Sequence, residues 1–510
     1  MSSTSIIILC TILAYMCVLI GVGVYNGKKN ASSEDFYLGG RKMGPYVVAM
    51  SAEASDMSSW LLMGLPGVAY LSGLGEAFWT AAGLAIGTYL NWLLVSRRLR
   101  RYSETVNAFT VPEFLAKRFH DKRNIITALS ALMIIVFFVP YVASGFAACG
   151  KLFNTLFGIE YMTGVVLFSV IIVIYTMIGG YTSVATKDFI QSIVMTIALA
   201  SITIFGVVSA GGMNVVMDNA KSLAGYFSLT AVHDAIGGTA VAYGPLLIIS
   251  TLAWGIGYFG MPHVLVRFMS IEDEEKLVIS RRVATIWVVI AMGIATFIGI
   301  VGLGMVSAGS MEALPDSERV IIVMTELLSK NGFLAAVLGG VILAGILAAT
   351  MSTADSQLLV AASGVSENIV RDFFGKNLSD KKSLSIARIT ILIVSAIGLF
   401  IARDPNSNVF SIVSFAWAGM GAAFAGVMLC ALFWKRTTLA GALAGMVTGG
   451  VMAFVWKYLV RPIGGVFDIY ELLPAFIISL VVIVVVSLLT KAPSQDMIDE
   501  FEKSKISKKK

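Results

Sequence analysis

Thirteen runs of this chain are each apolar and long enough to cross a bilayer: 5–25, 44–72, 74–96, 124–150, 160–180, 189–210, 239–265, 283–308, 331–362, 384–402, 410–434, 438–458 and 471–490. About 20 residues at a rise of 1.5 Å span the hydrocarbon core. In lipid every backbone N–H and C=O needs a partner inside the protein, so runs of this length have to be helices. The expectation is an all-α integral membrane protein with 13 transmembrane helices in one domain over 1–490. An extra helix at 5–25 precedes a first unit at 44–210 and a second at 239–434. Two closing helices at 438–490 lead to a tail at 491–510. With the amino terminus outside, the loops on the inside hold 30 of the 37 Lys and Arg. The positive-inside rule then predicts the amino terminus outside the cell membrane and the carboxyl terminus in the cytoplasm.

Three runs carry polar residues where lipid should exclude them. In Gly44–Gly73 the middle holds Ser51, Glu53, Ser55, Asp56, Ser58 and Ser59. A charge at bilayer depth costs at least about 2.5–3.5 kcal/mol, and such residues mark ion or substrate paths. The later Gly64-Leu65-Pro66-Gly67 also opposes a continuous helix. A broken helix holding a cation site is expected. The second run, Tyr243 to Met269, is interrupted by Gly255, Gly257, Gly260 and Pro262. It opens on Gly244-Pro245 as the first opens on Gly44-Pro45, 200 residues apart and five helices on. Five is odd, so the two units would be inverted relative to each other, and paired broken spans point to a midplane site. The core would be two inverted five-helix repeats, the second to eleventh spans, each beginning with a broken helix. The third run, Gly345–Leu359, places Ala349, Ser352 and Thr353 on one helical face. Hydroxyls in membrane helices commonly bond back to a carbonyl one turn earlier, so this pair alone is weak evidence for an ion site.

Other chemistries find no support. Charged residues make up 13% of the chain, against about 25% in soluble domains, and its net charge of +6 sits in short loops, which excludes a nucleic-acid surface. Cys10, Cys17, Cys149 and Cys430 lie in apolar runs without metal-ligand spacing. His120, His233 and His263 are far apart, and no phosphate-binding loop or nucleophile elbow is present, so no enzyme and no organic cofactor are expected. Met1–Ser5 lacks a positive region, so the first run reads as a retained helix and not a signal peptide. The stretch 309–330 reads either as a lid or as an ordinary surface helix. The tail ending in Lys508-Lys509-Lys510 reads as solvated, with attraction to anionic membrane lipid as the sharper alternative.

Five stretches give the chain a family resemblance along nearly its whole length: DFYLGGRKMGP from Asp35, ASDMSSWLLMGLPG from Ala54, GGYTSVATKDFIQ from Gly179, WGIGYFGMPHVLVRFM from Trp254 and ATMSTADSQLLV from Ala349. The chain resembles the sodium:solute symporter family, and within it the members that carry L-proline. The resemblance implies a co-transported sodium ion held by the backbone oxygens of Ala54, Met57 and Ala349 and the hydroxyls of Ser352 and Thr353. Oxygen ligands without thiol or imidazole suit a hard cation. It implies that Asp56 attracts the cation, and that Ser58, Trp60, Tyr141, Trp254, Tyr258 and His263 surround the substrate. Aromatic faces fit a small zwitterion with an apolar ring, since they cover the ring and attract its ammonium. Pantothenate, a monocarboxylate or a sugar is the alternative cargo, and a membrane sensor acting through a separate partner is the alternative class. No obligate protein partner is expected. Three residues depart from the family's pattern: Glu53 stands for a small residue, Ser59 for a glycine and Met261 for a glutamine. Glu53 reads either as a second cation-attracting or proton-carrying group, or as the partner of Arg41 or Lys42.

Overall fold

The computed structural model describes residues 2–27, 37–178, 180–376 and 379–505. Asp35, Phe36 and Gly179 of the quoted stretches, and Lys508–Lys510, lie outside them. Among the described residues ten helices are long and apolar enough to cross a membrane. An eleventh crossing forms where Pro245–Gly260 and Pro262–Ser270 meet at a 49° bend. At the other two expected crossings, 44–72 and 160–180, stand the shorter apolar helices Trp60–Ser72 and Tyr161–Met177. Ten or eleven spans thus stand where thirteen were expected, because breaks and short helices reduce the lengths that qualify one by one.

The breaks follow from the residues at them. Helix α1 (Pro45–Asp56) starts with Pro45 in its first turn, behind Gly44 at φ −72° and ψ 157°. Proline is suited to that place, because its missing N–H would be an orphan there anyway. The helix stops at Met57, φ −82° and ψ 80°, and resumes through a wide turn at Trp60–Gly64 into α2 (Leu65–Ser72). The second broken segment opens the same way: Gly244 at φ −74° and ψ 170°, then α3 (Pro245–Leu252). It continues as a 3₁₀ stretch, Ala253–Gly260, turns at Met261, and restarts at Pro262 as α4 (Pro262–Ser270). The sequence boundary at 239 is corrected. Thr239–Ala242 is an exposed strand paired antiparallel with Ala231–Asp234, and the membrane segment starts only at Pro245.

Close packing around the second break depends on missing side chains. A Cβ on Gly87, in the Leu74–Leu90 helix, would lie 2.3 Å from Gly255 O, and one on Gly255 would lie 2.2 Å from Gly83 O. A Cβ on Gly257 would lie 2.0 Å from Trp417 Nε1. Trp417 belongs to α6 (Val409–Phe433), which is buried along most of its length. Facing α1 is α5 (Phe333–Ser363), enclosed from Leu343 to Leu359.

The stretch 309–330 is not an ordinary surface helix. Val320–Ser329 buries Val320, Ile321, Ile322, Met324 and Thr325. Ahead of it Glu318 is 1% exposed, bonded to Lys151 Nζ at 2.7 Å and to the amides of Val409 and Phe410 at 3.0 and 2.9 Å. A carboxylate at a helix amino end satisfies donors that the helix itself cannot.

Candidate functional site

At the end of α1 the backbone changes partners. The amide of Met57 still donates to Glu53 O at 2.9 Å, but that of Ser58 turns to Asp56 O at 3.0 Å. Ala54 O therefore loses its amide four residues on. It accepts instead from Ser352 Oγ of α5 at 2.7 Å, and the same hydroxyl lies 3.1 Å from Ala349 O. Three of the five oxygens assigned to sodium thus meet through one hydroxyl. Thr353 Oγ1 is buried without a partner beside them in the chain, and Met57, at the break, is buried too.

Asp56 follows Ala54 by two residues and is fully buried. Its Oδ2 accepts from the Tyr258 hydroxyl at 2.6 Å, while Oδ1 has no partner. Its main-chain oxygen accepts from the Tyr141 hydroxyl at 3.0 Å and from Trp60 Nε1 at 3.1 Å. One residue thereby joins both broken segments and the Ile125–Phe157 helix that carries Tyr141. Beside it Trp60 and Trp254 have ring centroids 6.2 Å apart. Trp254 is also stacked on Tyr470 at 5.0 Å and faces Phe410 at 5.3 Å. Trp417 donates Nε1–H to Trp254 O at 2.8 Å and meets Tyr258 edge-on at 5.0 Å.

The chain belongs to the sodium:solute symporter family. The family's model matches residues 36–449. The sodium/proline symporter of Haemophilus influenzae is 40% identical over 506 residues, covering 97% of this chain and 96% of its own. That of Staphylococcus aureus is 39% identical over 490 residues, covering 94% and 92%. Among solved structures, a Na+-coupled sialic acid symporter superposes with a TM-score of 0.78 at 18% identity over 96% of this chain and 99% of its own. Mhp1, a nucleobase-cation-symport-1 family transporter, gives 0.54 at 14% identity over 93% and 99%. These two share the fold. The chain is thus a multi-pass membrane protein of a sodium-coupled transporter family.

The remaining residues named from the sequence have the following contacts. The His263 ring meets Phe138, on the helix that carries Tyr141, at 5.3 Å, and neither of its nitrogens has a hydrogen-bond partner. Ser58 Oγ takes the amide of Trp60 at 3.4 Å, a local turn bond. Glu53 pairs with neither Arg41 nor Lys42. Its Oε1 accepts from Trp92 Nε1 at 3.0 Å, and Arg41 donates to Met269 O and Ala108 O. Ser59 Oγ is buried and unpartnered. Met261 is buried at the turn into α4, where it precedes Pro262.

Trp417, Tyr470 and Phe410 were missed by sequence reasoning, since an aromatic in an apolar run or a loop carries no spacing signal. A buried ionic network was missed as well. Arg267 donates to Asp188 Oδ2 at 3.1 Å, Ser51 Oγ at 3.1 Å and Ser356 Oγ at 2.6 Å, and Lys187 holds Asp355 at 2.7 Å. Lys187 and Asp188 lie in one quoted stretch and Asp355 and Ser356 in another, so their charges inside apolar runs were the available clue.

Proposed function

We propose that this protein is a secondary active symporter that couples inward sodium movement to uptake of L-proline by alternating access. The observation that carries the reading is Asp56. Its carboxylate takes the Tyr258 hydroxyl, its main chain takes Tyr141 and Trp60, and two residues earlier Ala54 O accepts from Ser352 of α5. Oxygen ligands suited to sodium and aromatic faces suited to a pyrrolidinium ring therefore belong to one connected unit. Sodium would sit on Ala54, Met57, Ala349, Ser352 and Thr353, drawn by Asp56. Proline would lie against Trp60, Tyr141, Trp254 and Tyr258. Sodium at the first site would then order the second, and the coupling must act in both directions.

The names of the two relatives support proline as cargo. The matching Gly-Pro openings of the broken segments support two inverted repeats within thirteen crossings of the cell membrane. The charge distribution supports an outside amino terminus.

Uptake of labelled proline into proteoliposomes tests the reading. An imposed inward sodium gradient should give accumulation that collapses when sodium is equal on both sides. Accumulation of glucose or pantothenate in place of proline would remove proline as the substrate and leave sodium coupling standing. Proline accumulation that ignores sodium would overturn the symport itself.

A further inference from the structure

At the end of the bundle that the charge pattern puts in the cytoplasm, four segments meet: the helices Ser96–Thr105, Val111–Arg118 and Gln495–Lys503, and the carboxyl end of α6. Phe501 of the tail helix is 1% exposed and sits between them. Two guanidinium groups flank its ring, Arg98 Cζ at 4.7 Å and Arg118 Cζ at 5.1 Å from the centroid. Arg98 also covers Phe433 at 5.4 Å, and Arg118 covers Tyr102 at 5.6 Å.

These rings occupy the flat faces of the two cations and leave the edges. Arg118 Nε donates to Ala431 O at 3.0 Å, but its Nη1 and Nη2 have no acceptor although the residue is 1% exposed. Arg98 Nε and Nη2 and the Tyr102 hydroxyl are likewise buried without a partner. The carboxylates nearby act on the two cations only at longer range, Glu502 on Arg98 and Glu500 on Arg118, while their own bonds go to Lys505 at 2.6 Å and His120 at 2.9 Å, and Glu104 pairs with Arg100 at 2.8 Å. Just after α6, Lys435 is exposed and Arg436, which donates through Nη2 to Thr490 O at 2.9 Å, has Nη1 unpartnered. Buried charged donors without acceptors are rare and call for a missing partner. Guanidinium forks match tetrahedral oxyanions, which take two parallel N–H bonds from each.

We propose that Arg98, Arg118 and Tyr102 form a binding site for a phosphate group, supplied either by the headgroup of an anionic lipid or by soluble phosphate. The anion would join the tail helix to the Ser96–Thr105 helix. That helix in turn holds Glu275 through Arg97 at 2.7 Å and Glu274 through Arg101 at 2.5 Å, just beyond the end of α4. Occupancy would thereby brace the inner end of the second broken segment.

The site can be tested by binding alone, so its outcome is independent of what the protein transports. Full-length protein in phosphatidylcholine nanodiscs is melted with inorganic phosphate or with chloride at equal ionic strength. A parallel set replaces part of the lipid with phosphatidylglycerol. We expect a higher melting temperature in one arm: the lipid arm identifies a headgroup, the phosphate arm a soluble ligand. Arg98→Gln and Arg118→Gln should each raise the half-effective concentration about ten-fold, as loss of a charge-assisted bond predicts. Should Arg118→Gln fail to fold, the half-buried Arg98→Gln decides. A wild-type protein that responds to neither ligand overturns the proposal. So does an Arg98→Gln protein that responds as the wild type does.

Discussion

Asp56 and Tyr258 belong to different broken segments, 202 residues apart, and are joined at 2.6 Å. That single bond decides what a substitution at either end should do. Asp56→Asn should abolish sodium-driven proline uptake while leaving the amount of membrane-inserted protein unchanged, read by uptake against immunodetection. Tyr258→Phe removes the donor and leaves the Asp56 carboxylate without a hydrogen-bond partner among the described residues. The concentrations of proline and of sodium for half-maximal uptake should then both rise. Trp254→Ala removes a stacking face and a cation–π partner, worth roughly 0.5–2 kcal/mol, so half-saturation by proline should rise several-fold with a smaller shift for sodium. Equal sodium shifts in both variants would show that the hydroxyl does not connect the two sites. Ser352→Ala deletes the hydroxyl shared by Ala54 O and Ala349 O. It should raise the sodium requirement of uptake well beyond any change in protein level.

Between helices the decisive contacts are backbone against backbone. The Leu74–Leu90 helix meets the 3₁₀ stretch of the second broken segment where Gly83, Gly87 and Gly255 leave no room for a methyl group. Overpacking a filled interior costs about 1–3 kcal/mol, so Gly87→Ala should lower the melting temperature of the purified protein. Gly21→Ala, with nothing within 4 Å of the added carbon, should not lower it. The existence of these breaks was legible in the sequence. Prolines and glycines interrupting apolar runs can be read without knowing their neighbours, as can Asp56 and Glu53 inside such runs. Partners were not legible, because a hydrogen bond between residues 202 positions apart leaves no local pattern. Glu53 illustrates the limit: the basic residues nearest in sequence were the obvious candidates, yet it is the Trp92 indole that reaches it. Nor does the stretch that holds His263 tell that its ring meets Phe138, on a helix more than 100 residues away in the chain.

For the whole molecule the proposed orientation makes a prediction that needs no transport. A cysteine replacing Glu312, in the stretch 309–330, should react with a membrane-impermeant maleimide in intact cells, and one replacing Ser494 only after permeabilisation. The reverse pattern would invert the protein. The interior also has a ledger of charge. Lys187 with Asp355, Arg267 with Asp188, and Lys151 with Glu318 are buried couples that carry no net charge. Asp56 has no cationic partner among the described residues. In the proposed cycle, a sodium-free carrier whose Asp56 carboxylate is charged would be negative. Sodium cancels that charge and a zwitterion adds none. In that cycle the membrane voltage would act on the return of the empty carrier and not on the loaded crossing. An interior-negative potential drives the empty site outward, by up to about 2.3 kcal/mol per 100 mV. The protein would behave as a voltage-dependent capacitor: steps of potential applied without substrate should displace charge, and Asp56→Asn should silence that transient current.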